Sequence, residues 1–245
     1  NVYLRLASGY RPGGPNAVLR DIETGVPLAP PTFEPDNLVS TELGYKASLL
    51  DRALTVEAAV FNVDWRDIQQ ATSVNGVSVL VNSGKARIRG AEASLTYRPT
   101  AQWRFSANAA YSDAKLTEDA PGLDARSGDR LPRSPRLSLA LQAQHDFSLA
   151  GHPAYAGLSF RHVGKRDAGI EGSTQLISYR MPAYSLTDLT AGIEVGRFNL
   201  SIYARNVFDK RAQLSAYTAF LPLGGNALVS VAQPRTLGAT LSASF

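Results

Sequence analysis

The chain has 245 residues, 44% of them hydrophobic, and a mean hydropathy of −0.13. No run of 18 or more apolar residues occurs, which excludes a transmembrane helix but not a membrane barrel, whose strands turn only one face to lipid. There is no cysteine, and His145, His152 and His162 show no metal-ligand spacing, so disulfide, thiolate and structural zinc chemistry are excluded. The net charge of +4 comes from Lys and Arg scattered through apolar alternations rather than gathered in a tail or helix, which argues against nucleic acid as a partner.

The chain opens at Asn1-Val2-Tyr3-Leu4 with no initiator Met, charged n-region or apolar h-region, so it is expected to begin mid-protein, with any secretion signal upstream. Val2 to Gly9 alternates Val2, Leu4 and Leu6 with Tyr3, Arg5 and Ala7, the period of a two-faced strand. A proline-rich connection follows to about Asn37, too long for a hairpin turn. A second strand, Thr41 to Leu49, sets Leu43, Tyr45, Ala47 and Leu49 against Glu42, Gly44, Lys46 and Ser48. It reverses through the tight turn 50–53 into Leu54 to Ile68.

A loop over 69–85 leads to Ala86–Arg98, a short turn, and then Trp103 to Ser112. A charged loop over 115–133 precedes Leu137–Phe147, and the turn 148–153 precedes Ala154–Arg161. The long loop 164–182 leads to Asp188–Val195, which turns at Gly196-Arg197 into Phe198–Arg205. After a last long connection, Leu237 to Phe245 alternates to the end of the chain. The fold class this predicts is all-β, an antiparallel transmembrane β-barrel segment of about ten strands, with long loops at one end and short turns at the other.

Tyr97, Trp103, Phe147, Phe198 and Phe245 all fall beside a short turn or the carboxy terminus and on the apolar phase, as an interfacial aromatic ring would. Lys46, Arg104, Asp146, Asp188, Glu194 and Arg205 fall on the opposite phase, where a lumen would solvate or pair them. A soluble β-sandwich is the bland alternative, but it has no reason to sort its loops by length.

Six stretches in this order carry a resemblance to a known family: Ser8-Gly9-Tyr10-Arg11-Pro12-Gly13, Glu42-Leu43-Gly44-Tyr45-Lys46, Phe61-Asn62-Val63-Asp64-Trp65-Arg66-Asp67-Ile68, Asn82 through Glu92, Asn206-Val207-Phe208-Asp209-Lys210 and Pro234-Arg235-Thr236-Leu237-Gly238. Over essentially its whole length the sequence resembles the carboxy-terminal part of the β-barrel of TonB-dependent outer-membrane receptors. The resemblance implies a plugged barrel of 22 strands. Residues 1–245 would then be its carboxy-terminal portion, with the plug domain and first strands absent and two sheet edges left unpaired.

The resemblance further implies a multi-pass barrel in the cell outer membrane of a Gram-negative bacterium, performing TonB-coupled uptake of a scarce ligand. A ferric siderophore is the expected ligand, with a corrinoid, a nickel complex or an oligosaccharide left open. No enzyme activity and no covalently bound cofactor are implied, the iron(III) chelate being cargo. Partners would be the outer membrane and its lipopolysaccharide, the TonB complex reached through the absent plug and its TonB box, and the barrel-assembly machinery. Phe245 looks like the terminal aromatic which that machinery reads, or equally an anchor of the interfacial ring.

For ligand binding the candidates are Tyr10, Arg11, Asn16, Trp65 and Arg66, where cations and aromatic faces near outer strand ends could meet an anionic chelate. Arg87, Arg89, Arg130, Arg133, Arg136, Lys165 and Arg166 would instead hold lipopolysaccharide phosphates or pair with loop carboxylates. The alternative function is a stand-alone ten-stranded barrel acting as a small porin or as a protease resembling the omptins. Against a protease, His145 and His152 lie near the short turns, and His162, near Asp167, is in phase with outward-facing Leu158 and Phe160.

Overall fold

The computed structural model describes residues 1–74, 77–82, 84–174, 177–218, 221 and 224–244. In chain order the strands are β1 (Val2–Arg11), β2 (Gly14–Pro15), β3 (Thr32–Phe33), β4 (Asp36–Leu49), β5 (Leu54–Arg66), β6 (Gln69–Val74), β7 (Val77–Asn82), β8 (Ala86–Tyr97) and β9 (Trp103–Leu116). There follow β10 (Leu137–Leu149), β11 (His152–Val163), β12 (Arg166–Asp167), β13 (Arg180–Met181), β14 (Tyr184–Val195), β15 (Phe198–Arg205), β16 (Gln213–Tyr217), β17 (Leu228–Val231) and β18 (Thr236–Ala243).

Ten of these form one antiparallel sheet in the order β1-β4-β5-β8-β9-β10-β11-β14-β15-β18. Each strand pairs with the next long strand in sequence, so the sheet is an up-and-down meander. Its connections alternate between long excursions at one end and tight turns at the other. The tight turns use left-handed backbone: Leu50, Asp51 and Arg52 have φ of 53, 51 and 70°, and Ala150-Gly151 have 53 and 82°. Among the described residues β1 and β18 share no ladder, so the sheet is open at both edges rather than closed into a ten-stranded barrel.

Several strands run further toward the loop end than their apolar alternation suggests. β4 begins at Asp36 rather than Thr41, β9 continues to Leu116 rather than Ser112, and β14 begins at Tyr184 rather than Asp188. Pairing continues through Arg11↔Asp36, Asn37↔Arg66, Ala86↔Leu116 and Val163↔Tyr184. Beyond a hydrocarbon band the outward positions need not be apolar, so the ladder outlasts the pattern. The long connections, expected as plain loops, carry hairpins β2/β3, β6/β7, β12/β13 and β16/β17. A hairpin signal for β6/β7 was present in the sequence: valines alternating on either side of Asn75-Gly76, two residues outside those described.

The two faces of the sheet differ. Leu4, Leu43, Val60, Leu141, Leu158, Leu189, Ile202 and Leu241 share one face and are exposed, a contiguous apolar surface that water would not tolerate but lipid would. The other face carries Glu42, Gly44, Lys46, Glu57, Glu92, Ser94, Asn108, Gln142, Ser159, Asp188 and Thr240, paired across strands in register. At the tight-turn end of the apolar face, Tyr97 lies 6.4 Å from Phe105, Phe105 5.3 Å from Trp103, Trp103 4.2 Å from His145, and His145 5.5 Å from Phe147, centroid to centroid. Phe198 stands at the same end under the Arg197 guanidinium. Phe245, the remaining expected member, lies outside the described residues.

Candidate functional site at the loop end

The sheet itself has no conventional core; its buried apolar residues gather where the long connections meet. Ile68, Ala86, Leu116, Ala120, Leu123, Ala125 and Ile170 form one cluster, with Trp65, Val81 and Leu131 against it. Three separate connections contribute, so they fold onto one another over the polar face. Leu123, in a short 3-10 turn (Pro121–Leu123), is 1% exposed, and its carbonyl accepts from Ser173 Oγ at 2.5 Å. Thr174 Oγ1 donates to Asp124 Oδ2, a second tie between the same two connections. Ala168, Met181 and Ala216 form a further cluster joining β12/β13 to β16.

Asp36 is the polar centre of this end. Beyond the apolar band and almost fully buried, it accepts from Arg11 Nε at 2.8 Å, from Arg11 Nη2, from Trp65 Nε1 at 3.0 Å and from the Gln69 backbone N–H at 3.4 Å. The Arg11 guanidinium also lies 5.4 Å from the Trp65 ring centroid and donates to the Gln69 carbonyl at 3.0 Å. Gln69 Nε2 returns to the carbonyls of Pro12 at 2.9 Å and Glu34 at 3.0 Å. A single carboxylate therefore fixes where the first two connections leave the sheet. No local pattern marks Asp36, because only folding brings it opposite Arg11.

Of the five candidate ligand residues, Arg11 and Trp65 come together, on Asp36. Asn16 works elsewhere: its amide donates to Leu80 O at 2.7 Å and accepts from Leu80 N at 2.9 Å, pinning the first connection to β7. Tyr10 and Arg66 are exposed and fall on the apolar-face phase of β1 and β5. At the tip of the first connection Asp21 accepts from Thr24 N and Thr24 Oγ1, both at 2.8 Å, and from Glu23 N at 3.1 Å. These bonds, the Thr24 backbone bond foremost, hold its carboxyl below the ordinary carboxylate value.

The polar face below the mouth is a shallow trough. A hollow of about 460 Å³ is bordered by Glu57, Glu92, Asn108 and Arg161 among others. Its charges have local partners: Lys46 pairs with Glu57 at 3.0 Å, Tyr3 donates to Glu42 at 2.6 Å, and Asp188 accepts from Asn206 N at 2.7 Å. Among the described residues no cluster of three or more His, Asp or Glu could hold a metal. His162 hydrogen-bonds Ser185 at 3.0 Å, in the row with Leu139 and in phase with the apolar face, although its residue also borders the hollow.

The Asn206-to-Lys210 stretch now has a physical reason. Asn206, with φ 49°, donates to Lys210 O at 3.0 Å and Gln233 O at 2.8 Å and accepts from Lys210 N at 2.9 Å, while Asp209 accepts from Arg235 N at 2.8 Å. The motif clamps the exit of β15 to the entry of β18.

A family model described as "TonB dependent receptor-like, beta-barrel" matches residues 1–207. The chain belongs to the TonB-dependent receptor family. It is an all-β outer-membrane barrel segment, and its polar face is the lumenal one. The family is one of transport receptors rather than enzymes. The pesticin receptors of Yersinia enterocolitica and Yersinia pestis are each 27% identical over 245 residues, covering all of this chain and 34% of their own length. The metal-pseudopaline receptor CntO of Pseudomonas aeruginosa is 27% identical over 223 residues, 90% of this chain and 29% of that one. The crystal structure of the ferric yersiniabactin uptake receptor FyuA from Yersinia pestis superposes with a TM-score of 0.75 at 26% identity, covering 98% of this chain and 34% of that chain. This receptor segment thus spans about a third of the length of the relatives it matches.

Proposed function

We propose that this chain is the carboxy-terminal part of the barrel of an active outer-membrane receptor, with the plug domain and the first strands of a 22-stranded barrel preceding it. The receptor takes up a scarce ligand by coupling to TonB, and the ligand is a ferric siderophore. The observation that carries this reading is the open, loop-sorted sheet with a polar lumenal face beneath a folded mouth. An open sheet needs further strands, and such a wall lines a passage rather than a catalytic cleft. The receptors for metal chelates among its relatives favour an iron(III) complex as cargo. The ligand meets the mouth on its inward side, where Arg11 and Trp65 act by setting the Asp36 junction and Asn16 by holding the first connection.

The test is uptake of 55Fe supplied as purified ferric siderophores to host cells with and without the gene. Loss of uptake for one chelate class, with the same loss on deleting tonB, is the expected outcome. Unchanged uptake of every iron chelate, together with lost uptake of a corrinoid or an oligosaccharide, would overturn the choice of ligand. TonB-independent uptake would overturn the mechanism.

A further inference from the structure

Two arginines at the mouth are matched to no carboxylate. The described residues include all 21 Asp and Glu of the chain, yet none of these pairs with Arg133 or Arg166. Asp167, next to Arg166 in sequence, is taken by Arg180 at 3.0 Å, and Asp113, which draws in Arg130 and Arg136, leaves out Arg133.

Arg166 is the costlier of the two. It is 8% exposed, its Nη2 donates to the carbonyls of Gln213 and Leu214 at 2.9 and 2.6 Å, and its guanidinium lies 5.4 Å from the Tyr184 ring centroid. Its Nη1 is buried with no partner among the described residues. A buried guanidinium held by neutral acceptors alone keeps its full charge, and in a surrounding of low dielectric that charge is felt by whatever stands nearby. Hairpin β16/β17 stands nearby, because both accepting carbonyls belong to β16, immediately before Ser215.

Ser215 borders a second hollow, of about 350 Å³, between this hairpin and Arg133. Arg133 is exposed, has left-handed backbone with φ 58° and is tied by its N–H to the Asp167 carbonyl at 2.7 Å. Ser215 and Ser230, directly paired across the hairpin, both border the hollow, and among the described residues neither hydroxyl has a partner. Ala216, Leu228 and Val229 supply apolar surface, and no Asp or Glu among the described residues borders it.

A guanidinium, two hydroxyls and an apolar lining, with a second uncompensated cation bonded to the same strand, complement a carboxylate on a short aliphatic stem. An iron(III) catecholate, whose charge is spread over metal-bound phenolate oxygens, offers no such group. An anion in the hollow would also relieve the bare charge where the hairpin is attached, so occupancy should tighten β16/β17 on the wall.

We infer that this hollow seats a carboxylate of the transported chelate. Arg133 pairs with it, Ser215 and Ser230 donate to it, and Arg166 is a positioning residue that holds the hairpin and attracts the anion. The inference rests on the transport reading for its cargo, and it makes that cargo a carboxylate-bearing iron(III) chelate rather than a catecholate.

The test uses the full-length receptor that contains this segment, purified from outer membranes in a mild detergent. Amide hydrogen exchange in segments 213–217 and 228–231 is followed by mass spectrometry. The probes are sodium butyrate and butyramide, its neutral isostere, with sodium chloride added to equal ionic strength. For a dissociation constant on the order of 10 mM, about 50 mM butyrate should slow exchange about sixfold, and butyramide by less than about twofold. Arg133→Gln should abolish the difference, and Arg133→Lys, which keeps the charge, should retain part of it. Should Arg133→Gln lose heat-modifiable gel mobility, the mark of a folded barrel, Ser215→Ala combined with Ser230→Ala replaces it, with protection expected to fall about threefold. Equal protection by the two probes in the wild type, as when a carboxylate from elsewhere in the receptor already fills the hollow, would overturn the inference, as would undiminished protection in the folded variant. Uptake confined to iron chelates that lack a carboxylate would overturn it as well. Butyrate binding needs neither iron nor TonB, so butyrate protection without any iron uptake would leave the carboxylate site standing and count against the transport reading alone.

Discussion

The Tyr3 ring lies over Gly44, its directly paired neighbour on the adjacent strand, and a Cβ at position 44 would fall inside that ring. Three more lumenal pairs repeat the arrangement: Phe61 over Gly90, Tyr155 over Gly192 and Tyr203 over Gly238. At Gly192 the Cβ would stand 2.5 Å from Tyr155 Cε1. Glycine, which weakens an isolated strand, here makes room for an aromatic ring laid flat across the ladder.

Replacing Gly44, Gly192 or Gly238 by Ala is expected to cost about 1–3 kcal/mol each, since the ring must leave its rotamer or the strands must part. Tyr155→Ala is the matched control: in its background Gly192→Ala should cost clearly less than in the wild type, because the ring that its Cβ would meet is gone. Urea unfolding of the full-length receptor in detergent, followed by heat-modifiable mobility, measures both.

Asp36→Asn should loosen both of the first two connections at once. It removes the charge that holds Arg11 and the Trp65 indole, at a cost of about 2–3 kcal/mol, discounted because Arg11 is half exposed. Limited proteolysis should then open the segments 12–35 and 67–85 together, with the barrel band still intact on the gel. Opening of one segment without the other would contradict a shared anchor.

Leu123→Ala should damage the mouth and spare the wall. Leu123 is enclosed by residues from three connections, so its truncation leaves a cavity costing about 2–4 kcal/mol, none of it in the ladder. Chelate binding and loop protection should fall while barrel insertion stays at the wild-type level.

The tip of the first connection should respond to acid. Asp21 has a lowered folded value, so the order it confers is fully present above the unfolded carboxylate value of about 3.9 and is lost as pH falls through the folded one. A spin label at Glu23 should keep a constant line shape from pH 7 to about 4.5 and sharpen only below that range. Asp21→Asn should lack the transition.

The wall was legible in the sequence because a strand's period of two assigns every side chain to one of two faces without reference to its neighbours. Leu54 through Val60, Trp103 through Tyr111 and Leu137 through Phe147 could thus be read as lipid-facing rows, and the unequal connections gave the polarity of the barrel. The extents were less legible: Asp36 to Ser40 and Asp113 to Leu116 extend strands past the point where lipid imposes any pattern.

The mouth was not legible, because its contacts join residues that no local rule pairs. Arg11 and Trp65 read as free groups near strand ends, yet Asp36 takes both, and Leu123 meets Ile68 and Ile170 only after three connections fold together. The sequence by itself determined the strands, their faces and the end at which the loops lie, because alternation is a local property of the backbone. Only the tertiary structure decided which cations are spent on carboxylates and which keep a free edge, because that depends on cross-strand register and on loop closure between distant residues.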